Sequence, residues 1–278
     1  MRHMIKPLAA GVLTAALASG TALASTIPVT WDPGATTPAL SGSSFTQNNQ
    51  GLQDYGTATV NPTTGAFTDS GYLPITSFNP GAGATGVSTN YSLFYAYTAS
   101  GTFSYNGSPG FNPLATTSLP DVATFSSASF IFYGNPASTS SLGFAPPATS
   151  GSIPAAPGGS IELASSNTFY SGSGTITPAT TSIAASAGVI TNFVPNPSQG
   201  GFFVSPTDTG YMDFYWNSSF TNTPGIQSVA LNSAGDYVVT TNGGGGNADF
   251  VPEPASLALL GSGILGLGLV RRRWRNSL

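Results

Sequence analysis

Residues 91–105 read YSLFYAYTASGTFSY, and the fold turns on this stretch. Successive side chains of a strand point to opposite faces of a sheet. From Tyr91 to Thr98 both faces are apolar, with Tyr91, Leu93, Tyr95 and Tyr97 on one and Phe94 and Ala96 on the other. A strand covered on both faces belongs to the interior of a sheet, so this one is read as central. Ala99-Ser100-Gly101 then reads as a turn, and Thr102–Tyr105 as the hairpin partner.

Working outward, aromatic and β-branched runs recur at Asp54–Val60, Ala128–Tyr133, Ser160–Leu163, Val189–Val194, Phe202–Ser205 and Tyr211–Trp216. Ser228–Leu231 and Tyr237–Thr241 flank Asn232-Ser-Ala-Gly-Asp236, a good hairpin turn. Gly, Pro and Asn punctuate the chain every ~8–12 residues, and no long segment keeps a helical period. The expected fold is all-β, an antiparallel β-sandwich or jelly roll over residues 25–241. Asn135–Gly159, with Pro136, Pro146, Pro147, Pro154 and Pro157, reads as a long surface loop. Division into two halves at that loop is the alternative to one large domain. Residues 242–250, opening with Asn242-Gly-Gly-Gly-Gly-Asn247, read as a flexible tether.

Charge separates this body from the two ends. All six basic residues are terminal: Arg2, Lys6, Arg271, Arg272, Arg273 and Arg275. The one histidine is His3, and cysteine is absent. Between Ser25 and Phe250 stand nine acids (Asp32, Asp54, Asp69, Asp121, Glu162, Asp208, Asp213, Asp236 and Asp249) and no cation. Such a surface cannot neutralise phosphate, which excludes nucleic acid as a partner. Without cysteine or a body histidine, thiolate catalysis, hydrolase triads and histidine–cysteine zinc sites are excluded too.

Both ends read as addresses. Residues 1–24 have the form of a signal peptide: a positive start, an Ala/Leu-rich stretch from Leu8 to Leu23, and Ala22-Leu23-Ala24 as the cleavage site before Ser25. At the other end, Ala255–Val270 is a run of sixteen residues without a charge. As a helix it spans about 24 Å, close enough to a hydrocarbon core of roughly 30 Å once flanking arginines snorkel. A single transmembrane helix is expected at about 255–270, with Arg271, Arg272, Arg273 and Arg275 as a cytoplasmic stop-transfer cluster. Gly261-Ser-Gly263-Ile-Leu-Gly266 matches a dinucleotide-binding fingerprint by letter, but no strand precedes it, so it is read as part of the membrane helix. Pro252-Glu253-Pro254 forms an extended, exposed tripeptide in front of that helix.

Residues 251–278 resemble the PEP-CTERM sorting signal: Val251-Pro252-Glu253-Pro254, then the glycine-rich apolar stretch, then Arg271-Arg272-Arg273. The resemblance implies recognition of Pro252, Glu253 and Pro254 by an exosortase, a membrane-embedded enzyme of the cysteine-peptidase type, in a Gram-negative bacterium that makes exopolysaccharide. It implies a transient inner-membrane anchor, then delivery to the cell surface or extracellular matrix. The body is similar to flocculation-associated PEP-CTERM proteins in its acidic Ser/Thr/Gly-rich character, Phe67-Thr-Asp-Ser-Gly-Tyr72 and the Tyr91–Tyr105 stretch. That likeness implies a part in cell aggregation.

For the body, a non-enzymatic surface or matrix protein is the leading expectation, with extracellular polysaccharide and the exosortase as partners and no cofactor. A lectin-like module is the alternative, with Trp31 and Trp216 as candidate sugar-stacking rings. A carboxylate-dependent glycosidase comes third, resting on Asp208 and Asp213 around Tyr211. Asp208, Asp213 and Asp236 are the candidate calcium ligands, although no D-x-D-x-D-G loop joins them.

Overall fold

Strand-forming alternation runs through most of the body, and in the computed structural model it resolves into fifteen strands among the described residues, which are 28–79, 85–105, 107–112, 120–177, 184–205, 212–220 and 227–252. The expected signal peptide and its Ala22–Ser25 cleavage site, Glu253 and Pro254, the expected transmembrane segment and the arginine cluster lie outside them. Among the described residues no helix is long and apolar enough to cross a membrane.

In chain order the first strands are β1 (Val29–Trp31), β2 (Phe45–Gln47), β3 (Asn49–Val60), β4 (Ala66–Asn79) and β5 (Ser92–Tyr105). There follow β6 (Ser108–Pro109), β7 (Asp121–Asn135), β8 (Ile161–Ser165), β9 (Phe169–Thr177) and β10 (Ala184–Asn192). The last are β11 (Val194–Pro195), β12 (Phe203–Ser205), β13 (Met212–Phe220), β14 (Gln227–Leu231) and β15 (Tyr237–Pro252).

Eight of them pair in a closed antiparallel circuit: β3, β4, β5, β7, β9, β10, β13, β15 and back to β3. The described residues are all-β in class as the sequence indicates, but the expected sandwich or jelly roll gives way to one sheet curled into a barrel. Closure removes the free edges that a sandwich leaves, and it relies on local irregularities that sharpen the bend. One is in β7, where Ser126 has no partner between Phe125↔Gly101 and Ser127↔Ser100. Another is in β15, where Gly243 sits at φ 89 between Asn242↔Tyr55 and Gly244↔Asp54.

Ala99-Ser100-Gly101 is no turn, because β5 continues through it for 14 residues and pairs with β4 on one side and β7 on the other. Gly101 is there for space: a Cβ would collide with the Thr124 carbonyl oxygen and come within 2.7 Å of the Phe67 ring. Residues 242–250 are no tether, since they form the second half of β15, hydrogen-bonded to β13 and β3. The domain therefore runs past 241 to Pro252.

The central position of Tyr91–Thr98 holds, and the sequence's own surface loop explains its outer face. Asn135–Gly159, which includes the short helix α1 (Thr139–Leu142), lies against the outside of β3, β4 and β5. Phe144 packs on Tyr55, Tyr72 and Phe94. Thr57 Oγ1 donates to Pro147 O at 2.6 Å, Tyr72 Oη to Ala155 O at 2.7 Å, and Gly151 N to Ser70 Oγ at 2.9 Å. The loop thus covers the second apolar side of β5 and stays part of one domain.

Strands β12, β1 and β2 form a small separate sheet that closes the barrel end where β15 finishes. At its centre Trp31 is fully buried among Phe45, Phe78, Phe132, Phe202, Phe203 and Phe250, with ring centroids 5.3–6.1 Å away. Its Nε1 donates to Gln47 O at 2.8 Å. Trp31→Ala is therefore expected to cost about 3–5 kcal/mol, read as a lowered denaturant midpoint, since no neighbour can fill the space of an indole ring. A second apolar cluster of Val60, Phe67, Phe103, Phe111, Ala123, Ile176 and Val239 fills the opposite end.

Candidate functional site

Between the two apolar clusters the barrel holds a polar layer. Tyr97 of β5 pairs with Gly71 of β4, which pairs with Gly56 of β3. Two adjoining glycines leave a trough across the inner wall, and the tyrosine ring lies in it. A Cβ at Gly56 would come within 2.6 Å of Tyr97 Oη, and one at Gly71 within 2.9 Å of its ring. The hydroxyl so placed reaches both Asp54 Oδ1 at 3.3 Å and the Asp69 carboxylate at 3.4 and 3.5 Å.

The two carboxylates share a low-dielectric interior with no cation to balance them. Burial, reinforced by the neighbouring Asp54 carboxylate, pushes Asp69 up to about 8, against the hydrogen bonds from the Ser70 backbone and Tyr97. Asp69 therefore keeps its proton at neutral pH. Burial, then the two carboxylates, hold the Tyr97 hydroxyl well above its ordinary value, so it stays a donor.

Asp54, Asp69 and Tyr97 line one side of a cavity of about 90 Å³. Small residues make the opposite wall, chiefly Gly174, Ala185 and Ala187. The space is smaller than the roughly 150 Å³ that accommodates benzene, so a pyranose ring does not fit between these acids.

Elsewhere neutral donors take the place that cations hold in most proteins. Asn49 Nδ2 donates to both oxygens of Asp249 at 3.2 Å, Asn61 Nδ2 to Asp236 at 3.1 Å, and Asn112 N to Asp121 at 3.3 Å. Glu162 is exposed.

The residues singled out in the sequence are not brought together. Trp31 is sealed in the end cluster, and Trp216 is 6% exposed with its ring 5.2 Å from Tyr97 inside the barrel. Neither offers a face to a sugar, so both are withdrawn as stacking platforms. Large aromatics on inward positions are where a barrel of this size gets its filling. Asp208 lies outside the described residues. Asp213 pairs with Val251 at one end of β15, while Asp236 sits in the β14–β15 turn at the other. About 14 residues of extended strand, on the order of 45 Å, separate those two positions, so no calcium ion can bridge them. Among the described residues no three His, Cys, Asp or Glu side chains gather as a metal site.

The other chemically informative place is where β15 ends. Phe250 is fully buried, against Trp31, Phe193 and Phe214. Asn48, between β2 and β3, brackets its backbone: Asn48 Nδ2 donates to Phe250 O at 2.8 Å, and Phe250 N donates to Asn48 Oδ1 at 2.6 Å. Val251 and Pro252 continue the pairing with Asp213 and Met212. The family model of the PEP-CTERM protein-sorting motif matches residues 250–273, beginning at this buried phenylalanine. No curated protein and no solved structure matches the chain.

Proposed function

We propose that this chain, which carries a PEP-CTERM sorting motif and so the mark of an exosortase-processed extracellular protein, is a non-enzymatic component of a Gram-negative cell surface or matrix that acts in exopolysaccharide-associated aggregation. The observation that carries the proposal is the sorting motif joined directly to a closed, cation-free barrel.

Exposed hydroxyls on the barrel, its end sheet and β14 support a polysaccharide partner. Hydroxyl pairs run across neighbouring strands on exposed faces: Thr30–Thr46 at 2.7 Å, Ser100–Ser127 at 2.7 Å, Thr175–Ser186 at 3.3 Å and Ser228–Thr240 at 2.6 Å. Each hydroxyl both donates and accepts, the chemistry that a polysaccharide presents in return. Many weak contacts of this kind suit a matrix element better than a one-site lectin.

Deleting the gene is expected to reduce cell aggregation and retention of exopolysaccharide in the pellet, with recovery on re-expression. Unchanged aggregation and retention would remove the proposal. Saturable one-site binding of a defined oligosaccharide would favour the lectin reading instead.

A further inference from the structure

We infer that the folded barrel masks the front of its own sorting motif, so that release of the end of β15 limits exosortase processing. The inference rests on the sorting reading and adds a step to it.

A processing enzyme takes its substrate as an extended segment whose backbone N–H and C=O groups are free to pair with the enzyme. In this chain the residues leading into Pro-Glu-Pro are already used. Phe250, Val251 and Pro252 pair with Phe214, Asp213 and Met212 of β13 on one side. On the other side, where β3 pairing reaches Ala248↔Gln50, the Asn48 side chain takes both backbone groups of Phe250. The Phe250 ring is held among the rings of Trp31, Phe193 and Phe214. No spacer separates this clamp from the motif, because Pro252 is both the last residue of β15 and the first of Pro-Glu-Pro.

For an enzyme to hold the residues on the N-terminal side of Glu253, the strand end must leave β13 and draw Phe250 out of the core. Strand ends open locally far more often than a domain unfolds, so the step is accessible but slow. It also protects the product, since residues upstream of Phe250 stay paired and the mature protein keeps its last strand.

The test follows conversion of the full-length precursor in cells with an active exosortase, by pulse–chase. A short glycine–serine insertion between Phe250 and Val251 leaves the Asn48 clamp and the Phe250 ring in place while freeing Val251 and Pro252 from β13. It is expected to speed conversion about tenfold, the loss of a few hydrogen bonds' worth of masking. Asn48→Ala should also speed conversion, by a smaller factor, and alone among the two should lower the melting temperature. Equal or slower conversion of the insertion variant overturns the inference. No conversion of any variant, including the wild type, removes the sorting reading and the masking with it.

Discussion

Asp69→Asn is expected to raise the melting temperature of the barrel by roughly 10 °C at pH 8 and to leave it almost unchanged at pH 4. The sign follows from the proton count. Asp69 holds its proton up to about 8 in the folded barrel and has an ordinary value near 3.8 when unfolded. Between those values the native state binds more protons than the unfolded state, so stability falls as pH rises, by up to about 1.4 kcal/mol per pH unit. The favourable contribution is complete below the lower value and gone above the upper one. Asparagine keeps the shape and a hydrogen-bond partner for Tyr97 but never ionises.

The wild type should show the same slope more broadly. Burial also raises Asp121, to about 6, and Asp249, and the body has no Lys, Arg or His to oppose the trend. Calorimetry from pH 4 to 9 should therefore find the wild type most stable near pH 4 and declining to about pH 8. The Asp69→Asn profile should be much flatter. Matching profiles would mean that Asp69 ionises freely, and that water fills the space beside it.

How much of this was legible in the sequence depends on how local each signal is. The double-sided apolar run at Tyr91–Thr98 gave a central strand, because alternation is written residue by residue. Closure of the sheet was not legible, since β15 pairing with β3 joins segments at opposite ends of the body. Glycine misled twice, because its low strand preference says turn or linker, while the structure uses it inside strands for room at one position and for a positive φ at the other. Gly101 admits the Thr124 carbonyl, and Gly243, at φ 89, makes a bulge within β15 opposite β3. The lumen pair did leave a trace, Asp54-Tyr-Gly56 and Asp69-Ser-Gly71, the same D-x-G spacing on neighbouring strands. Only the register Gly56↔Gly71↔Tyr97 turns that repetition into two acids under one hydroxyl.

A chain ending at Asn242 is expected not to fold, while one ending at Pro252 keeps the stability of the intact barrel. The two differ only in the stretch whose composition suggests a dispensable tether. Every contact between β13 and β15 in the sheet lies in residues 245–252, so the shorter chain opens the barrel along the whole of that seam. It also loses Ala248 and Phe250 from the core, along with the two hydrogen bonds that hold Asn48. Removing one large aromatic from a packed core already costs about 3–5 kcal/mol. Unpairing a central strand adds the desolvated N–H and C=O groups of β13 and of the freed end of β3. Together these are comparable with the roughly 5–15 kcal/mol that keeps a domain folded. Circular dichroism and proteolysis of the two secreted fragments decide it. A protease-resistant, cooperatively melting fragment ending at Asn242 would mean that the barrel closes without its last half-strand, and the masking of the sorting motif would then have no structural basis.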